Sequence, residues 1–148
     1  MVSCVSNPTY VEQEGATLKT IRVKVQLDEW SYTQQGTTDQ FNNNYFYAGF
    51  NVPEINKEVF DYGEVKAYAV FDRQYASKAR KHLLPYVLHV EEQNNYGEWI
   101  YFTETYDFTY GLGWVEFNFR TSDFAYEDNI NLNPPAMGFD IVITYPQE

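Results

Sequence analysis

From Ile21 the chain alternates apolar and polar positions without a break, with Ile21, Val23, Val25 and Leu27 set against Arg22, Lys24 and Gln26. A period of two places successive side chains on opposite sides of a pleated strand, so the segment predicts a strand with one dry and one wet face. At Asp28-Glu29 the phase slips by one, and Trp30 and Tyr32 continue in the new phase. An uncorrected slip would turn the apolar set to water, which predicts a bulge or bend at that point. The alternation returns in Val65-Ala67-Ala69-Phe71, in Val115-Phe117-Phe119 and in Phe139-Ile141-Ile143. Ala67 and Ala69 are small for inward positions and predict a large ring opposite them.

Residues 45–52 are apolar or aromatic on both sides, which predicts a strand covered on both faces or one lining a binding surface. Pro53 ends it, because proline cannot donate to a ladder. A short helical turn is expected near 54–61, where Ile55 and Val59 share a face and Gly63 suits the exit. Strand material resumes at 86–90, 99–103 and 106–110, broken by Gln93-Asn94-Asn95-Tyr96-Gly97 and followed by the turn Gly111-Leu112-Gly113. The pattern yields about seven or eight short strands at the spacing of a sandwich. The fold class expected is therefore all-β: an antiparallel β-sandwich, Ig-like or similar, over 17–148. Residues 1–16 lack a charged n-region and an apolar h-region and predict a flexible tether.

Composition adds three constraints. Of 148 residues, 19% are aromatic, with 14 Tyr, 11 Phe and 3 Trp, so large rings rather than Leu must fill the core. The net charge of -11 argues against nucleic acid as a partner, since phosphate backbones are bound by Lys and Arg. One Cys and two His leave no Cys-based zinc site, no internal disulfide and no His-rich metal site, and no cofactor is expected. No apolar run approaches the roughly 20 residues of a membrane helix, so a membrane is expected to be met only through a lipid anchor.

The candidate chemistry is sparse. Tyr45, Tyr47, Trp99, Tyr101, Tyr106, Tyr110 and Trp114 are too many rings for one core. Some must shield an outer face or form a platform, and rings with a polar handle suit sugar faces or the rim of an apolar pocket. Trp99 and Trp114 lead this group, with Tyr101, Tyr47 and Tyr45 beside them, because their phase opposes the inward Ile100 and Val115. Glu98, Glu104, Asp107 and Glu116 lie in the aromatic strands. Glycoside hydrolysis needs two carboxyls roughly 5–10 Å apart, for which Glu104 and Glu116 are the pair to test. Solvent-facing Glu is the ordinary expectation, and the chain is read as a non-enzyme. His89 reads as a partly exposed strand residue, with His82 seven residues before it. Asp123, Glu127, Asp128, Asn129, Asn131 and Asn133 enrich one loop in oxygen donors without the spacing of a calcium loop and read as solvated. Arg73, Lys78, Arg80 and Lys81 form a basic loop over 73–81 that either neutralises acidic neighbours or attracts an anionic surface or glycan.

Several short motifs, taken in order, carry a resemblance. They are Trp30, Tyr47-x-x-Phe50-x-Val52-Pro53-Glu54-Ile55, Val59-Phe60-Asp61-Tyr62-Gly63-x-Val65 and Leu83-Leu84-Pro85-Tyr86-Val87. Thr103-Glu104-Thr105-Tyr106-Asp107-Phe108, Ser122-Asp123-Phe124 and Phe139-x-Ile141-Val142-Ile143 follow. Over roughly 17–146 the chain resembles a group of small secreted or lipid-anchored all-β domains of gut bacteria, some described as lipid-binding and without assigned catalytic residues. The resemblance implies a lipidated cysteine ahead of the domain, a place that Cys4 matches, and an extracytoplasmic protein. The chain departs from that pattern in lacking the signal peptide and in a longer basic loop. The function expected is a non-catalytic extracytoplasmic binding or surface-accessory domain for a lipid-like small molecule or a glycan. The alternatives are a structural or adhesion module using its sheet edge or aromatic face on another protein and, more weakly, a glycosidase-like enzyme.

Overall fold

The computed structural model describes residues 9–12, 17–33, 45–75, 77–122 and 134–146. Among these residues ten strands form two five-stranded antiparallel sheets. They are β1 (Thr9–Glu12), β2 (Leu18–Val25), β3 (Ser31–Thr33), β4 (Tyr45–Asn51), β5 (Glu64–Phe71), β6 (Arg80–Leu83), β7 (Tyr86–Gln93), β8 (Trp99–Gly111), β9 (Trp114–Thr121) and β10 (Met137–Thr144). One sheet has the order β1-β2-β10-β5-β6 and the other β3-β4-β9-β8-β7. The all-β sandwich read from the alternation is the architecture found.

The inward positions within the strands are those the pattern selects, while Leu27, grouped with them by the alternation, lies in the turn after β2 and is 67% exposed. Ile21, Val25, Ala67, Ala69, Phe139, Ile141 and Ile143 from one sheet, and Phe50, Val115 and Phe117 from the other, are all buried. Phe139 of β10 stacks on Phe117 of β9 with centroids 4.0 Å apart and planes 13° apart, which joins the sheets through the midplane. Tyr106, placed by sequence among the surplus rings, is also in this core and packs on Phe119 at 5.0 Å. The interior is thus filled by rings rather than by a cavity-lining shell.

One local expectation is narrowed and two change. Of the bulge or bend expected at Asp28-Glu29, the structure has the bend: a 3-10 turn at Leu27–Glu29 carries the chain from β2 in one sheet to β3 in the other. Gln26 N–H donates to Glu29 Oε1 at 3.0 Å, and Trp30 Nε1 donates to Pro135 O at 3.0 Å, closing that corner. Changing sheets requires a new inward phase, and that is what the slip encodes. The basic loop is partly a strand, since β6 starts at Arg80 and pairs with β5. Thr9–Glu12, assigned by sequence to a tether, pair with β2 along the sheet edge, where four residues are too few for a legible period.

The helix α1 (Lys57–Tyr62) forms where expected. Its N-cap is Asn56, whose Oδ1 accepts from Val59 N–H at 2.9 Å. That satisfies one of the free donors of the first turn. Ile55 and Val59 are buried beneath it, and Gly63 N–H closes the last turn on Val59 O at 2.8 Å.

Candidate functional site

The outer face of the β3–β4–β9–β8–β7 sheet carries the ring residues selected from the sequence. Inward Phe117 and Phe119 fix the phase of β9, so Trp114, Glu116, Asn118 and Arg120 face out. Register then sends Tyr45, Tyr47, Asp107, Trp99 and Tyr101 to the same side. They do not form one platform. Trp114 pairs with Gly111, ten residues along β8 from Tyr101, or roughly 33 Å at the usual strand rise. Its ring lies over Gly111, where a Cβ would come within 2.6 Å of the indole. Trp114 therefore covers a glycine gap at one end of the sheet.

Tyr45 and Tyr47 occupy the middle of the face, with centroids 6.1 Å apart. Arg120 lies over the Tyr45 ring at 4.6 Å and reaches Asp107 at 3.8 Å. Asn118, flanked by Tyr47 and Asp107 on the neighbouring strands, is buried. The Arg120 contacts commit Tyr45 to an intramolecular cation–π arrangement.

The other end is open. Trp99 is 57% and Tyr101 69% exposed, and as alternate residues of β8 they sit about 7 Å apart on one face. Opposite them in register, β7 presents Gln93 and Glu91, with His89 across from Thr103. A shallow cleft of about 520 Å³ adjoins Tyr101, lined also by His89, Glu91, Thr103 and Ser122. Two exposed ring faces thus stand beside a row of hydrogen-bonding side chains.

Glu104 and Glu116 do not converge. Glu104 lies on the Phe102 and Tyr106 side of β8, whereas Glu116 faces outward from β9 with Thr109 as its partner. The two proposed as a hydrolytic pair are on opposite faces of one sheet and share no groove. Burial pushes the Glu104 carboxyl above its ordinary value, and the charge of Glu92 adds to this. Burial likewise raises Glu116, with Asp107 acting in the same direction and Arg120 against it. A raised carboxyl binds its proton more tightly when folded, so Glu104 lowers stability at neutral pH. The penalty is relieved as pH falls through the folded value toward the ordinary 4.5. Glu104→Gln is accordingly expected to raise the urea midpoint at pH 7. The advantage should vanish below about pH 4. An unchanged midpoint at pH 7 would count against a desolvated Glu104.

His89 is exposed, and His82 stacks on Tyr86 at 4.0 Å. Cys4 and the oxygen-rich residues Asp123, Glu127, Asp128, Asn129, Asn131 and Asn133 lie outside the described residues. Among the described residues no three metal-ligating side chains gather, and no helix is long and apolar enough to cross a membrane.

The feature missed in the sequence is Asp140. It falls on the polar phase of β10, yet it is 0% exposed on the outer face of the second sheet. Arg73 pairs with Oδ1, Lys81 Nζ lies 2.7 Å from Oδ2, and Arg22 Nε is 3.9 Å from Oδ1. The three cations come from β2, from the loop after β5 and from β6, so only the folded register assembles them. The polar position inside Phe139-x-Ile141 looks like any solvent-facing residue, and the basic loop over 73–81, one reading of which has it neutralising acidic neighbours, does not say which carboxylate it meets.

No protein-family model, curated protein or solved structure matches this chain.

Proposed function

We propose that this domain is a non-catalytic binding module that holds a glycan on the Trp99–Tyr101 end of its β3–β4–β9–β8–β7 sheet. The observation that carries the reading is the pairing of two exposed rings, Trp99 and Tyr101, on alternate positions of β8, side by side on one flat sheet face, whereas the exposed Tyr62, Tyr75 and Tyr96 lie outside the strands. Exposed rings are costly to keep in water and suit a flat ligand with one apolar face. Gln93, Glu91, His89 and Thr103 lie within the same end of the sheet to bond hydroxyl groups. The filled midplane, with Phe117 on Phe139, favours a glycan over an enclosed lipid. Export and lipid attachment through Cys4 belong to the same proposal and rest on the resemblance alone.

A protein partner adding a strand to the free edge of β7 is the second reading. Glu91 and Glu92 on that edge are the kind of charges that discourage strand addition. Affinity electrophoresis through gels containing neutral β-glucan, mannan, xylan or mucin glycans tests the first reading. Retardation by at least one polymer is expected. The double change Trp99→Ala with Tyr101→Ala should weaken it about 30-fold, as for truncated ring hot spots. Retardation by none of the polymers, or retention unchanged in the double variant, would sink the proposal.

A further inference from the structure

We propose that the outer face of the opposite sheet carries a second site, one for the oxyanion of a small ligand: a carboxylate, sulfate or phosphate held by Arg22, Lys24 and Arg73. The site does not depend on the ring-face reading. It begins with charge placement. The chain has 10 basic residues against 21 acidic ones, yet Arg22, Arg73 and Lys81 converge on a single carboxylate, Asp140. Three cations on one anion leave an excess of two positive charges on this face. Lys24, on the same side of β2 as Arg22, adds a third, and no carboxylate among the described residues pairs with it.

The backbone supplies the shape. Gly138 lies between Lys24 and Val70 in register, directly beside the Asp140 position. With no side chain there, the sheet surface is depressed, and a Cβ would meet nothing closer than 3.7 Å. The depression opens into a cleft of about 910 Å³ walled by Arg22, Lys24, Arg73, Ala136 and Met137, with one carboxylate, Asp72, on its lining. That volume is in the usual range of a small-molecule site. Asp72, just ahead of Arg73, has a positive φ of 55°. Asp tolerates this left-handed conformation better than most residues, but it remains uncommon. Here it sends the Asp72 carboxylate to Arg80 at 3.1 Å while Arg73 turns back onto Asp140.

The physical result is preorganisation. Free guanidinium side chains lose rotamer freedom when they grip an anion; Arg22 and Arg73 are already drawn toward Asp140, so less is lost on binding. They remain 46% and 35% exposed, so a second anion can still reach them. The low-lying glycine lets an oxyanion approach the sheet between Lys24 and the two arginines, where donors stand on both sides.

The test is a titration of the 15N-labelled protein, followed by its amide spectrum at low ionic strength, with inorganic phosphate, inorganic sulfate or sodium glucuronate as probe and chloride as control. Saturable shifts centred on Lys24, Arg73 and Gly138 are expected for at least one probe. A phosphate preference would point to a phosphorylated ligand, and a glucuronate preference to an acidic sugar. Lys24→Gln should weaken binding about tenfold, the worth of one charge-assisted contact. Gly138→Val should abolish binding with every charge retained, since it fills the depression. Shifts no larger than those from chloride, as when the chain's own carboxylates already occupy the cleft, would overturn the proposal. Equal affinity in Lys24→Gln would do so as well, whether or not Gly138→Val folds.

Discussion

Phe139→Ala is expected to cost about 3–5 kcal/mol of folding free energy, the usual range for truncating a buried ring. Phe139 is fully buried on a strand that has neighbours on both sides, β2 and β5. Its ring stacks on Phe117 at 4.0 Å and meets Trp30 edge-on at 6.2 Å. Among the described residues no other ring pair spans the midplane so closely, and both sheets lose packing when this ring goes. Neighbours on a hydrogen-bonded sheet cannot slide inward to fill the gap, so a cavity should persist. A domain of this size has on the order of 5–15 kcal/mol in hand, so the variant should sit near its unfolding limit. Urea denaturation reads the loss as a lower midpoint at an unchanged slope. Tyr101→Ala, at an exposed position, should change stability by less than about 0.5 kcal/mol and serves as the contrast. A loss under about 1 kcal/mol at Phe139 would mean that the rings do not bridge the sheets.

The same residues show what a sequence can and cannot disclose here. Ile21–Val25, Val65–Phe71, Val115–Phe119 and Phe139–Ile143 were legible because each strand has one dry and one wet face, and the period of two records that directly. Trp30 was harder. Its phase shift was visible, but a local bulge and a change of sheet leave the same trace, and only pairing partners separate them. β1, β3 and β6 are three or four residues long, too short for a period to be counted. Trp99 and Trp114 share an outward phase, yet phase says nothing of position along a strand. The offset between them is a property of the β8–β9 register. Register likewise separates Glu104 from Glu116: Thr109 opposes Glu116, so an even-numbered residue of β9 shares a face with the odd-numbered residues of β8.

Asp140 is the sharpest case. Alternation correctly placed it on the outer face, and from there the ordinary inference is exposure. It is buried because residues 22, 73 and 81 bring cations to it. Burial of an ion requires paired charges, and those pairs are long-range by nature. The outcome is a molecule with two unlike outer faces. One offers rings and hydrogen-bonding groups at its β7–β8 end, and the other gathers a large share of the chain's few cations around a single carboxylate. Neither face could be composed from one segment alone.

The second large effect is expected at Gly63, which links α1 to β5. Gly63→Ala should destabilise by about 1–3 kcal/mol, the range for forcing extra volume into a packed site. Its backbone, with φ near -91°, is one that any residue adopts, so conformational freedom is not why glycine is needed. A Cβ would stand 2.7 Å from Thr144 O and 2.9 Å from Val59 O, and both are backbone atoms. Thr144 belongs to β10, which pairs with β5 from Glu64 onward, so relief requires the end of β10 or the last turn of α1 to move. Gly97→Ala separates the two ways a glycine can matter. Gly97 has φ near 79° and nothing within 4 Å, so its cost is purely conformational, about 1 kcal/mol. At a strain-free, uncrowded position Gly→Ala usually stabilises by about 0.4–1 kcal/mol, because the unfolded chain loses freedom. A urea midpoint for Gly63→Ala above the parent would therefore mean that helix and strand are not in contact at this joint. A midpoint below that of Gly97→Ala identifies the close approach of α1 to β10 as the constraint.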